Sequence, residues 1–123
     1  MNKWDVVLIG YPFSSLSVTK TRPAVIISPD NYNQGGDDIV VVLVTSNVAR
    51  KALHDIIVPT THPEFKLTGF RKDSAIRVSK IMTLEKSKIQ YQLGKLGMAL
   101  IAEVERGLRD FLEIFPYQPP LKS

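Results

Sequence analysis

Two stretches of this 123-residue chain leave little choice of fold. PAVIIS (residues 23–28) and DIVVVLVTS (residues 38–46) are apolar at consecutive positions and rich in β-branched residues. They are too short to cross a bilayer. A strand that is apolar on both faces belongs in the middle of a sheet, with something packed on each side. Pro23 fits that reading because it stands at the first position of its strand. The segment between them, PDNYNQGGDD, supplies turn chemistry with room for one short helical turn.

Further short runs join these two. DVVLI (residues 5–9), HDIIVP, SAIRVSKI and SKIQYQLG all read as strands. In SAIRVSKI, alternation puts Ile76 and Val78 on one side and Ala75, Arg77 and Ser79 on the other. In SKIQYQLG, Ile89, Tyr91 and Leu93 oppose Lys88, Gln90 and Gln92 in the same way, with Gly94 and Gly97 bracketing the end. One segment has helical spacing instead: in residues 98–115, Leu100, Ile101, Val104, Leu108, Phe111, Leu112 and Phe115 fall on one face. Gly107 interrupts that helix at a cost of about 1 kcal/mol relative to alanine, and a close packing contact is one reason for it. Many short strands followed by one helix predict a mainly β fold: a small, strongly curved antiparallel sheet or partial barrel with the helix over one opening. The length suits a single domain over residues 1–116, with the proline-rich residues 117–123 as a tail.

Several function classes drop out. The chain has no cysteine, so disulfides and thiolate metal sites are excluded. His54 and His62, with Asp55 and Glu64 beside them, have no ligand spacing of a known kind and read as surface loop histidines; no metal or other cofactor is expected. No G-x-S-x-G elbow and no phosphate-binding loop is present. The N-terminus has the character of neither a signal peptide nor a membrane anchor, so the expected location is a reducing cytoplasm, with no membrane partner.

Charge gives a positive signal. The net charge is +4, but between residues 65 and 95 eight basic side chains face only Asp73 and Glu85. Such a region fits an anionic partner, nucleic acid or an acidic protein, or else a merely solvated face. Within the chain, Arg22 precedes a central strand, Thr45 and Ser46 end another, and Arg77 and Ser79 share one face of a third. Arginine presents a rigid fork of donors that matches a phosphate bidentately. Two arginines and two or three hydroxyls converging on one cleft would hold a phosphodiester and stabilise charge building in a transition state. Each residue also has an ordinary structural use, Arg77 as a cross-strand ion-pair partner among them.

Taken in order, WDVVLIGYPF, KTRPAVIISPDNYN, IVVVLVTS, DSAIRVSKIMTLEKSKI and LGKLGMALIAEVERGLRDFL resemble the MazF/PemK (Kid-like) toxins of type II toxin–antitoxin systems. The resemblance runs from about residue 4 to residue 115. It implies a small SH3-like β-barrel with a C-terminal helix, working as a homodimer. It implies metal-independent, sequence-selective cleavage of single-stranded messenger RNA by attack of the 2′-hydroxyl on phosphorus, and an acidic cognate antitoxin that blocks the groove. By the same resemblance Arg22, Thr45 and Arg77 are the catalytic residues. Ser17, Thr19, Lys20, Ser46, Ser79 and Lys80 are RNA-binding, with the loop over residues 14–21 covering the RNA. The chain departs from the Kid-like pattern in having Ser79 where an Asp follows the strand arginine, Lys80 for Gln and Met82 for Arg. A non-catalytic nucleic-acid or protein-binding module on the same barrel is the alternative function. A gyrase-poisoning toxin stands third, since the chain ends Pro-Pro-Leu-Lys-Ser.

Overall fold

The computed structural model describes residues 1–12 and 19–121, with the backbone alone described at Tyr11, Pro12 and Thr19. The strands β1 (Asp5–Pro12), β2 (Thr19–Ile26), β3 (Asp38–Thr45), β4 (Ile56–Val58), β5 (Ser74–Glu85) and β6 (Ile89–Lys95) form one sheet. Its order is β4-β5-β3-β2-β1-β6, and every neighbouring pair is antiparallel. Short helices α1 (Asp30–Gly35) and α2 (Phe65–Thr68) sit in the connections, and α3 (Met98–Leu112) closes the chain. The two strands read as apolar on both faces, β2 and β3, are indeed interior, and each face has its own core. One face buries Val6, Val25, Val42, Val44, Ile76 and Val78 against Leu100 and Val104 of α3. The other buries Val7, Ile9, Ala24, Ile26, Ile39 and Val41, flanked by Leu43, Met82, Leu84 and Ile89.

The sheet curls because its ladders slip. Along β5, Arg77 pairs with Leu43 but Ile81 pairs with Val42, so residues 78–80 are skipped. Against β1, β6 slips twice. Each bulge adds twist and bends its strand, turning a six-stranded sheet into a half-barrel.

Some sequence boundaries shift. β2 begins at Thr19 rather than Pro23, so Arg22 lies inside a strand, opposite Ile9, and not at a loop junction. The polar run TKTR is strand because β1 supplies its ladder hydrogen bonds, which no local pattern reveals. The helix stops at Leu112, where Glu113 takes a left-handed φ of 53°. The histidines are half-buried rather than surface residues: His62 lies 3.7 Å from Glu103, and its Nδ1 accepts the Glu64 N–H at 3.0 Å. Among the described residues no helix is long and apolar enough to cross a membrane.

Three contacts fix the frame around the site. Glu64 reaches the start of α3, accepting the N–H groups of Ala99 at 3.0 Å and Leu100 at 2.9 Å. Gly94 lets α2 press on β6, since a Cβ there would lie 2.2 Å from the Leu67 carbonyl oxygen. Gly107 is buried, and a Cβ would meet Ile56 Cδ1 at 3.0 Å, so the mid-helix glycine does mark a close packing contact.

Candidate nucleic-acid cleft

On β2, Arg22 shares a face with Ala24 and Ile26; on β3, Thr45 shares a face with Val41 and Leu43. The ladder pairs Ala24 with Leu43, and continuing that register two residues brings Arg22 opposite Thr45. Leu43 in turn pairs with Arg77 of β5. Three adjacent strands therefore aim Arg22, Thr45 and Arg77 to one side of the sheet. All three line one cavity of about 300 Å³, together with Asn47, Arg50 and Lys80. The Thr45 hydroxyl oxygen accepts the Asn47 N–H at 3.1 Å, which fixes the side chain at the strand's end.

Arg77 is held by a buried carboxylate. Its Nε donates to Asp55 Oδ1 at 3.2 Å and its Nη2 to Asp55 Oδ2 at 3.0 Å, a two-pronged pair. Nη2 also donates to the Arg50 carbonyl at 2.6 Å. The Asp55 side chain is 2% exposed and that of Arg77 20%. The hydrogen bonds to Asp55 raise the Arg77 pKa; burial pulls the other way, and the charge of Asp55 adds to the rise. The guanidinium stays charged at any working pH, with one end committed to Asp55. The second Asp55 oxygen also takes the Ala52 N–H at 2.8 Å, which fixes the carboxylate against the 50–55 loop.

A second cavity, of about 440 Å³, adjoins the first and shares Arg22, Val44 and Thr45 with it. Leu8, Phe70 and Leu93 form an apolar part of its lining; Lys20, Ser46, Arg71, Lys72 and Tyr91 supply the polar part. Among the described residues, no lining residue of either cavity is a carboxylate or a histidine. Among the described residues no cluster of His, Cys, Asp and Glu is arranged to hold a metal ion.

The sequence candidates sort as follows. Arg22, Thr45, Arg77 and Lys80 meet in the first cavity, and Lys20 and Ser46 lie in the second. Ser79 sits in the segment of β5 that the ladder skips and lines neither. Ser17 lies outside the described residues, as does the side chain of Thr19. Sequence reasoning missed Asp55, read there only as a neighbour of His54, and missed Arg71, Lys72 and Tyr91. The Arg71-Lys72 pair was visible within the basic stretch, but nothing local told which cavity it serves. The SPDNYN motif is structural. The Ser28 hydroxyl donates to Asn33 Oδ1 and accepts the Val40 N–H at 2.9 Å, while Asn33 Nδ2 donates to the Ser28 carbonyl at 3.0 Å. That latch clips α1 onto β3.

A curled antiparallel half-barrel carries, across its central strands, a cleft whose described charged lining residues are all cationic. The chain belongs to the family described as PemK-like, MazF-like toxin of type II toxin-antitoxin system, which matches residues 2–112. It is 31% identical over 105 residues to Endoribonuclease MazF6 of Mycobacterium tuberculosis, an alignment covering 84% of this chain and 88% of that protein. Its fold is similar to that of MazF in a MazE–MazF structure from Deinococcus radiodurans, with a TM-score of 0.75 at 19% identity, over 94% of this chain and 97% of the other. It is also similar to a mycobacterial endoribonuclease solved in complex with its cognate antitoxin, with a TM-score of 0.71 at 18% identity, over 96% and 99% of the two chains.

Proposed function

We propose that this toxin is an endoribonuclease that cuts single-stranded messenger RNA at the cleft between β2, β3 and β5, without a metal ion. The observation that carries the reading is the convergence of Arg22, Thr45 and Arg77 on one cavity. The 2′-hydroxyl oxygen attacks the adjacent phosphorus, the bond from phosphorus to the 5′-oxygen breaks, and the products are a 2′,3′-cyclic phosphate and a 5′-hydroxyl. Arg22 binds the non-bridging oxygens as negative charge builds on them, and Arg77 adds to that field from a fixed position. Thr45 orients the phosphate from its strand end. The described lining holds no carboxylate or histidine, so the proton of the 2′-hydroxyl passes to solvent, the departing 5′-oxygen takes a proton from solvent, and positioning supplies most of the acceleration.

The working form is a homodimer in the cytoplasm. An acidic antitoxin lies over the cleft and blocks it, as suits a lining with cations and no acids. The test is digestion of a long single-stranded transcript in EDTA, with end-group analysis of the products. Cyclic phosphate and 5′-hydroxyl ends are expected, and Arg22→Ala lowers the rate by about 10²–10³ while the fold persists. Intact RNA at high protein concentration would move the assignment to a non-catalytic binding module.

A further inference from the structure

The second cavity extends the cleft away from Arg77 and past Arg22 and Thr45. We propose that it holds one nucleotide flanking the cut, its base stacked on Tyr91 and its phosphate paired with Arg71 and Lys72. This rests on the endoribonuclease reading and adds a residue that sets base preference.

Four observations carry it. The cavity adjoins the first, the two sharing Arg22, Val44 and Thr45 in their linings, so an RNA strand held at one passes beside the other. Its volume of about 440 Å³ falls in the range of small-ligand sites. Tyr91 stands on β6 opposite Leu8 and is 51% exposed, so its ring offers a face at the cavity wall. An aromatic face beside cationic side chains is the usual platform for unpaired bases. Arg71 and Lys72 form no ion pair among the described residues, and they reach the cavity from the loop after α2.

That loop is set rigidly. Gly69 has φ 78°, and a Cβ on it would lie 2.3 Å from the Leu93 carbonyl oxygen. The backbone of the Arg71 loop is thus packed onto the strand that carries Tyr91. A ring and two cations thus line one cavity from elements packed on each other, the arrangement that selection of a base requires.

The experiment maps cleavage sites on a long transcript, then uses a short RNA containing the mapped motif, intact or with an abasic nucleotide at each flanking position in turn. Wild type is expected to lose roughly tenfold or more in kcat/KM at one abasic position, with Tyr91→Ala showing the same loss on intact RNA. On that abasic substrate Tyr91→Ala adds no further loss. Arg71→Gln and Lys72→Gln each lower the salt dependence of binding by about one unit of slope. Thermal melts confirm that the variants fold.

If Tyr91→Ala cuts as wild type does, or keeps the full abasic penalty at every position, the nucleotide site is wrong while the reading of Arg22 and Thr45 stands. If the variants weaken binding of the cognate antitoxin but leave RNA cleavage unchanged, the cavity belongs to the antitoxin and the proposal falls. If wild type leaves RNA whole, the endoribonuclease reading itself fails; equal retention of the intact transcript by wild type and Tyr91→Ala then overturns the nucleotide site as well.

Discussion

Asp55→Asn is the substitution whose consequence the structure fixes best. The Asp55 carboxylate is 2% exposed and accepts three hydrogen bonds, two from Arg77 and one from the Ala52 N–H. Asparagine fits the space but removes the charge and turns one acceptor into a donor facing the guanidinium. Breaking a buried ion pair from one side costs about 3–5 kcal/mol, and since Arg77 keeps some contact with solvent, about 3 kcal/mol is the working figure. For a chain of this length that is a fall in Tm of about 12 °C. Because Arg77 lines the cleft, kcat falls as well, by about tenfold or more, as its guanidinium loses its fixed aim.

The assay is a melting series with a double-mutant cycle against Arg77→Gln, run beside RNA cleavage. With both charges gone neither is left unpaired, so the double variant should recover about 2 kcal/mol relative to the sum of the singles. The pH dependence has a definite sign. The Arg77 pKa is raised on folding, so its contribution is fully present below the unfolded value and is lost only as pH rises through the folded one. Both lie far above neutrality, so the part of the stability due to Arg77 is flat from about pH 5 to 9. A melting point within a degree or two of wild type, together with unchanged kcat, would refute the view that Asp55 holds Arg77 in place.

Two further substitutions probe the frame. Glu64→Ala strips the acceptor from two N–H groups at the start of α3 and should cost about 1–2 kcal/mol, read by urea denaturation. Gly94→Ala puts a methyl 2.2 Å from the Leu67 carbonyl oxygen and drives α2 off β6. Overpacking of this kind costs about 1–3 kcal/mol. Because the loop bearing Arg71 follows α2, this variant should also raise KM for RNA, checked by steady-state kinetics.

Much of the architecture was legible in the chain. The doubly apolar runs announced interior strands, and alternation in SAIRVSKI put Arg77 on the face opposite Ile76 and Val78. The 3.6-residue spacing announced α3, overshooting by three residues, because a hydrophobic pattern does not record where the backbone turns left-handed. The beginning of β2 was not legible, because TKTR is strand only by virtue of its partner. The same holds for the site. Arg22, Thr45 and Arg77 could be picked out by residue type and family resemblance, since each belongs to a recognisable local pattern. Asp55 could not, because its meaning is its contact with a residue 22 positions away.

By itself, then, the sequence determined which segments are strands and which the closing helix, which of them are apolar on both faces and which family the chain resembles, because these depend on local period and ordered motifs. Only the tertiary structure decided that Asp55 grips Arg77 and that Tyr91 lines one cavity with Arg71 and Lys72. Those are juxtapositions of distant residues, set by the bulges and close glycine contacts that curl the sheet.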